Sequence, residues 1–96
     1  EYPSSSAGPV PAADHALAGL RVLVVEDEPL VAMELAMVLE DAGAVPLGPA
    51  STCAQALDAI DADRPDVVLL DGNLNGERVD AVAEALARRA VPFAFV

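Results

Sequence analysis

One short apolar run with an aspartate at each end restricts the possible folds of this chain more than any other feature. Residues 67–70 read Val-Val-Leu-Leu, they lie between Asp66 and Asp71, and the turn-forming run Gly-Asn-Leu-Asn-Gly follows. A continuous run of β-branched and aliphatic residues this short indicates a strand buried on both faces of a parallel sheet. Asp71 is therefore expected at the carboxyl end of an interior strand, where open α/β sheets place their ligand sites.

A second apolar run ends in the same way. Residues 21–25 read Arg-Val-Leu-Val-Val, and Glu26, Asp27 and Glu28 follow. Because the carboxyl ends of parallel strands meet at one edge of a sheet, the two strands are expected to bring Glu26, Asp27 and Asp71 together. Glu28 is better interpreted as a residue at the start of a helix, where the helix dipole favours a negative charge.

Length and composition favour a single α/β domain and argue against several classes of function. The chain has 96 residues, of which 54% are apolar and only 3% aromatic. A net charge of −11 argues against binding to nucleic acid or to an anionic membrane. No apolar run approaches the roughly 18 residues of a membrane span. The single cysteine, Cys53, cannot form an internal disulfide, so we expect a cytoplasmic, reducing location.

The chain divides into a leader and a folded region. Residues 1–19 are rich in proline and serine with little periodicity, which predicts a flexible linker or tail that also contains His15. Residues 20–96 are predicted to be one domain. Since the sequence lacks an initial methionine, we expect a piece of a longer protein or a processed product. It ends within an apolar run at 92–96, so we expect the native chain to continue past Val96.

Strands and helices are predicted to alternate through the folded region. The strands are expected at 21–26, 44–48, 67–70 and 92–96, the second being a short edge strand because it contains Pro46. A first helix is predicted from Pro29 to a cap at Gly43, a second from a capping box of Thr52 and Gln55 to Arg64, and a third over 77–89. The residues expected to face the core are Val31, Leu35, Val38, Leu39 and Ala42 on the first helix, Ala54, Leu57 and Ile60 on the second, and Val79, Val82, Ala83, Leu86 and Ala90 on the third.

This element order predicts the arrangement of the sheet. Short connections between successive strands and helices require parallel strands and right-handed crossovers. The expected fold is a flavodoxin-like, doubly wound sheet with strand order 2-1-3-4. Its chain reversal lies between strands one and three, where the three carboxylates are expected.

The acidic residues suggest a particular chemistry. Two carboxylates 4–5 Å apart repel each other by about 3–4 kcal/mol at an effective dielectric constant near 20. Such a group holds a proton or binds a hard cation, and carboxylates, a backbone carbonyl and water are the ligands that Mg²⁺ prefers. With a cation bound, one carboxylate can attack a phosphoryl group and form an acyl phosphate.

These motifs resemble the receiver domain of two-component response regulators. The similarity rests on Val-Leu-Val-Val before Glu26-Asp27-Glu28-Pro29, and on Val-Val-Leu-Leu before Asp71 with Asn73 and Gly76 after it, and it covers residues 20–96. It implies that Asp71 accepts a phosphoryl group from a histidine kinase or a phosphotransfer protein. It further implies that Glu26 and Asp27 form an acidic pocket, and that Asp27, Asp71 and the backbone carbonyl of Asn73 bind Mg²⁺.

The end of the sequence is similar to a variant subgroup of this family. In that subgroup the fourth strand continues into a Phe-Ala-Thr-Gly type motif, and residues 92–96 read Pro-Phe-Ala-Phe-Val. Receivers also use a Ser or Thr after strand four and a Lys after strand five. The sequence ends before both positions and contains no Lys, and the fifth strand and the last helices are absent from it. Strand four would then be a bare edge, to which a partner or a second copy of the chain could pair.

Three functions remain open from the residues alone. The first is a phosphoacceptor module, either a stand-alone regulator or part of a hybrid sensor kinase, with at most Mg²⁺-dependent self-phosphorylation and dephosphorylation as enzymatic activity. The second is a receiver-like interaction module that is not phosphorylated. The third is a small Mg²⁺-dependent phosphohydrolase, which is disfavoured because such enzymes usually carry an aspartate at the position that Asn73 occupies here.

Overall fold

A computed structural model describes residues 17–72, 74 and 78–96 of the chain. Strands and helices alternate through these residues. The strands are β1 (Arg21–Val25), β2 (Val45–Ala50), β3 (Val67–Leu70) and β4 (Phe93–Phe95), and the helices are α1 (Pro29–Asp41), α2 (Cys53–Asp63) and α3 (Asp80–Arg88). Among the described residues, no helix is long and apolar enough to span a membrane.

The strands form one parallel sheet with the order β2-β1-β3-β4, as the sequence predicts. β1 and β3 are the two central strands and pair without interruption from Val22 opposite Val67 to Val25 opposite Leu70. The two strands therefore end side by side, and the residues that follow them are neighbours at the same edge of the sheet.

Alternate residues of the central strands point to opposite faces of the sheet, and each face is covered by helices. Leu23 and Val68 pack in a core with α2 and α3, whereas Val22 and Val24 pack in a second core with α1. Because both faces are covered, residues 22–25 of β1 and 67–70 of β3 are all apolar, and Arg21 stands only at the first position of β1. Burial of both faces explains the continuous apolar runs in the sequence.

The apolar stripe predicted for α1 is partly wrong. Val31 and Val38 are 40% and 65% exposed, and the buried residues are Ala32 and Leu39, with Leu35 packed beside them. Nearly every position from 30 to 39 is apolar, so spacing alone does not decide which side of this helix faces the sheet. The predicted cap is correct, since Gly43 follows the last turn with a φ of +89°.

The other two helices also differ from the prediction in detail. Thr52 is the N-cap of α2, and its hydroxyl accepts a hydrogen bond from the backbone N–H of Gln55 at 3.1 Å. The prediction that Ala54 and Ala90 face the core is wrong, because both are exposed and Ala90 lies beyond the end of α3. The buried positions that the spacing argument missed are Ala56 and Ala85.

Residues 17–20, just before β1, contact the end of α1. The N–H of Leu17 donates to the carbonyl oxygen of Ala42 at 3.2 Å, and that of Gly19 donates to Gly43 at 3.0 Å. The side chains of Leu17 and Leu20 pack against the core beneath α1. The remainder of the segment interpreted as a linker, together with His15, lies outside the described residues.

Candidate functional site

Main-chain hydrogen bonds hold the two acidic ends of the central strands in place. The N–H of Asp71 donates to the carbonyl oxygen of Val25 at 3.0 Å, which continues the pairing of β3 with β1 by one residue. The N–H of Glu26 donates to the carbonyl oxygen of Ala50 at 2.9 Å, which continues the pairing of β1 with β2. The positions of Glu26 and Asp71 therefore follow from the backbone of the sheet.

The carboxylates of Glu26, Asp27 and Asp71 converge at this edge. One oxygen from each lies within 4.8 Å of the others. Glu26 is buried, with only 7% of its surface exposed, whereas Asp27 and Asp71 are half-buried and accessible from solvent. The site thus combines one enclosed carboxylate with two that a ligand can reach.

Burial and the neighbouring acids act on Glu26 in the same direction. Loss of water around the side chain is the largest effect that raises the pKa of Glu26 above its ordinary value of 4.5, and the charges of Asp71 and Asp27 add to it. The backbone N–H of Glu28 donates to Oε2 of Glu26 at 3.0 Å and partly offsets this rise in the pKa. An added positive charge would relieve the repulsion among the three carboxylates.

The structure places the remaining residues of the predicted site as follows. Glu28 is exposed, and the structure does not group its carboxylate with the other three. Asn73, whose carbonyl is predicted to bind a metal, lies outside the described residues. Gly72 borders the site, and a side chain built there would lie 3.8 Å from the ring of Phe95, the last residue of β4.

An exposed apolar surface lies on α1 next to the acidic residues. Leu30, Met33 and Met37 recur at intervals of three and four and are 70%, 58% and 57% exposed, so they lie on one side of the helix. α1 begins at Pro29, directly after Glu28, which places the first turn of this surface beside the site. This surface is not evident from the sequence, because a nearly uniformly apolar helix gives no indication of which side is exposed.

The chain belongs to the response regulator receiver domain family, whose family model matches residues 22–94. Proteins of this family are signalling modules rather than classical enzymes. The matched region runs from the second residue of β1 to the second residue of β4, and the acidic residues at the ends of β1 and β3 fall within it.

The chain is similar to several named regulators. It is 34% identical over 86 residues to the transcriptional regulatory protein PdtaR of Mycobacterium tuberculosis, a match that covers 88% of this chain and 42% of PdtaR. It is 37% identical over 78 residues to the phyllosphere-induced regulator PhyR of Methylorubrum extorquens, a match that covers 78% of this chain and 29% of PhyR. The chain thus spans less than half the length of either relative.

Solved structures with the same fold include receivers of the variant subgroup. SdrG from Sphingomonas melonis Fr1 is 45% identical with a TM-score of 0.74, and the match covers 80% of this chain and 66% of SdrG. The response regulator PhyR from Brucella abortus is 35% identical with a TM-score of 0.75, and the match covers 81% of this chain and 33% of PhyR. The predicted resemblance to receivers is confirmed by these matches.

Proposed function

We propose that the chain is a phosphoacceptor module in which Asp71 takes a phosphoryl group from a phosphohistidine of a histidine kinase or phosphotransfer protein. The observation that supports this most directly is the convergence of Glu26, Asp27 and Asp71 within 4.8 Å at the ends of two central strands. Three convergent carboxylates do not stabilise this edge of the fold, because their mutual repulsion opposes folding.

The donor set fits a magnesium ion. Three carboxylates offer only oxygen ligands and a high local negative charge, which suit Mg²⁺ better than a softer metal. We expect Asp27 and Asp71 to hold the ion together with the Asn73 carbonyl, while Glu26 contributes charge from its buried position. When bound, Mg²⁺ would neutralise the repulsion between an anionic nucleophile and an anionic phosphoryl group.

The residues of the chain would act on the phosphoryl group in a single displacement. A carboxylate oxygen of Asp71 attacks phosphorus, an O–P bond forms, and the P–N bond to the donor histidine breaks. The imidazole nitrogen leaves with the electron pair and takes up a proton. Asp71 is suited to this role because it is accessible, whereas its partner Glu26 is buried.

The exposed surface of α1 supports a protein as the phosphodonor. Its apolar residues Leu30, Met33 and Met37 lie beside the site, and Glu34 and Asp41 flank them. An amphipathic helix with basic flanking residues is the kind of partner that such a surface fits.

A second surface for a partner or another copy of the chain is the end of β4, where Phe95 and Val96 are 59% and 61% exposed.

Intact mass spectrometry after incubation with acetyl phosphate tests the proposal. We expect the chain to gain one phosphoryl group when Mg²⁺ is present and none in EDTA. Asp71→Asn should abolish the gain, whereas Asp58→Asn, on the exposed side of α2, should leave it unchanged. A phosphoryl group on the Asp71→Asn chain, or none on the wild-type chain with Mg²⁺, would contradict the proposal. The second result would favour an unphosphorylated interaction module, which the exposed surface of α1 also supports.

A further inference from the structure

A cavity of about 540 Å³ lies at the opposite edge of the sheet from the acidic site. The end of α2, the start of β3 and the segment that joins α3 to β4 surround it. The five residues of β1 separate the two edges, a distance of about 16 Å. The residues that line the cavity are Ile60, Asp61, Arg64, Pro65, Arg89 and Val91.

The cavity has an apolar wall fixed by the fold. Ile60 is 3% exposed, Pro65 is buried and Val91 is half-buried. The main chain holds this wall in place, since the N–H of Val91 donates to the carbonyl oxygen of Leu86 at 2.9 Å. A compact apolar group could therefore bury part of its surface here without rearranging the helices.

The two arginines of the cavity differ in whether their guanidinium N–H groups are already hydrogen-bonded. Arg89 donates to both carboxylate oxygens of Asp61, at 2.8 and 3.3 Å, and to the carbonyl oxygen of Ala85 at 3.1 Å. Its charge is therefore paired and its position fixed. The guanidinium of Arg64 makes no hydrogen bond or ion pair with any of the described residues. A planar set of donors is thus available at the rim of a cavity that has one apolar wall.

Most of the arginines of the chain lie near this edge, together with Asp61, Asp63 and Asp66. Four of the five arginines, Arg21, Arg64, Arg88 and Arg89, lie near this edge, although the chain carries a net charge of −11. One guanidinium fork matches one planar carboxylate in a bidentate geometry. The nearby Asp61 and the acidic chain as a whole oppose a dianion such as phosphate.

We infer that the cavity binds a small organic monoanion, with a carboxylate on Arg64 and a compact apolar body against Ile60, Pro65 and Val91. Asp61 can accept a hydrogen bond from a donor on the same molecule. The inference is independent of phosphorylation, since no residue of the cavity belongs to the acidic site.

Amide chemical shifts of the ¹⁵N-labelled full chain, titrated with benzoate, test this inference. We expect saturable shifts confined to residues 60–65 and 89–91. The neutral counterpart benzyl alcohol should bind at least tenfold more weakly, because it cannot form the charge-assisted pair. Inorganic phosphate should produce no saturable shift in this region.

Matched arginine variants identify the group that binds the carboxylate. Arg64→Gln should weaken benzoate binding about tenfold, whereas Arg88→Gln, an exposed arginine that does not line the cavity, should not. Arg64→Lys keeps the charge but not the fork and should give an intermediate affinity. The fold should survive these changes, because Arg64 contributes main-chain rather than side-chain hydrogen bonds to it.

Three results would overturn the inference. They are equal binding of benzoate by wild type and Arg64→Gln, equal affinity of the wild-type chain for benzyl alcohol and benzoate, and no saturable shift with benzoate.

Discussion

At the scale of single residues, Glu26 is the carboxylate whose surroundings are least favourable to its charge. It is buried beside Asp71 and Asp27, and neither of the two side-chain ion pairs among the described residues involves it. Burial and the neighbouring charges raise its pKa, so the folded state binds a proton at Glu26 more tightly than the unfolded state does. Its contribution to stability is therefore fully present below the unfolded pKa and is lost as the pH rises through the folded pKa.

We expect Glu26→Gln to remove this pH dependence. In EDTA, the free energy of unfolding of the variant should rise relative to wild type as the pH increases from about 4.5 towards neutrality. The measurement is urea unfolding of both chains at several pH values. Glu34→Gln, an exposed residue of α1, is the control and should follow the wild-type curve. A constant difference between Glu26→Gln and wild type at all pH values would contradict this prediction.

At the scale of elements, the start of α2 depends on side chains that replace missing helical hydrogen bonds. The hydroxyl of Thr52 accepts from the N–H of Gln55, and Oε1 of Gln55 accepts from the N–H of Ser51 at 2.8 Å. The spacing predicts a capping box with the Gln55 side chain returning to the N-cap residue. In the structure, the Gln55 side chain instead accepts from the residue before the N-cap, Ser51. The side chains of Thr52 and Gln55 therefore each pair a backbone N–H that has no partner within the helix.

Thr52→Ala should lower the free energy of unfolding by about 1 kcal/mol, because the hydroxyl that accepts from Gln55 is lost. Thr52→Ser keeps the acceptor and should remain close to wild type. Chemical unfolding of the three chains measures the difference. An alanine variant as stable as the serine variant would show that the cap contributes nothing.

The exposed surface of α1 should matter for a protein phosphodonor but not for a small one. Met33→Glu places a negative charge within this apolar surface, and we expect at least a tenfold lower rate of phosphotransfer from a phosphorylated histidine kinase or phosphotransfer protein. The rate with acetyl phosphate should not change, since Met33 is not part of the acidic site. Ala54→Glu, an exposed position of α2, is the matched control. Equal losses with both donors would assign the effect to the site rather than to docking.

The sequence predicts strands and strand order better than it predicts the rotation of the helices. A run of apolar residues on a central strand is unambiguous, because both faces of the strand are buried. α1 is different, since Val31 and Ala32 are both apolar, yet Ala32 is buried against the sheet and Val31 is exposed. The convergence of the three carboxylates follows from strand order and could be predicted. The cavity at Arg64 depends on separate segments meeting, which no local pattern indicates.

At the scale of the whole molecule, binding of a cation should stabilise the fold. A ligand that binds only the folded chain stabilises it by about 2.7 kcal/mol at 100 times its dissociation constant. We expect Mg²⁺ to raise the melting temperature more than NaCl at equal ionic strength does. Asp27→Asn should remove this difference, and Asp58→Asn should not. If Mg²⁺ and NaCl raise the melting temperature of the wild-type chain equally, the salts act only by screening the repulsion among its negative charges.

The pairing of β1 with β3 determines how freely the sequence around the site can vary. Main-chain N–H groups fix the positions of Glu26 and Asp71, so the spacing of these carboxylates does not depend on which apolar side chains precede them. A shift of one residue between the strands would move Asp71 by about 3.3 Å and turn it to the opposite face of the sheet. Exchanges of similar volume within the strands should therefore be tolerated, whereas a single insertion or deletion in either strand should separate the carboxylates while leaving every acidic residue in the chain.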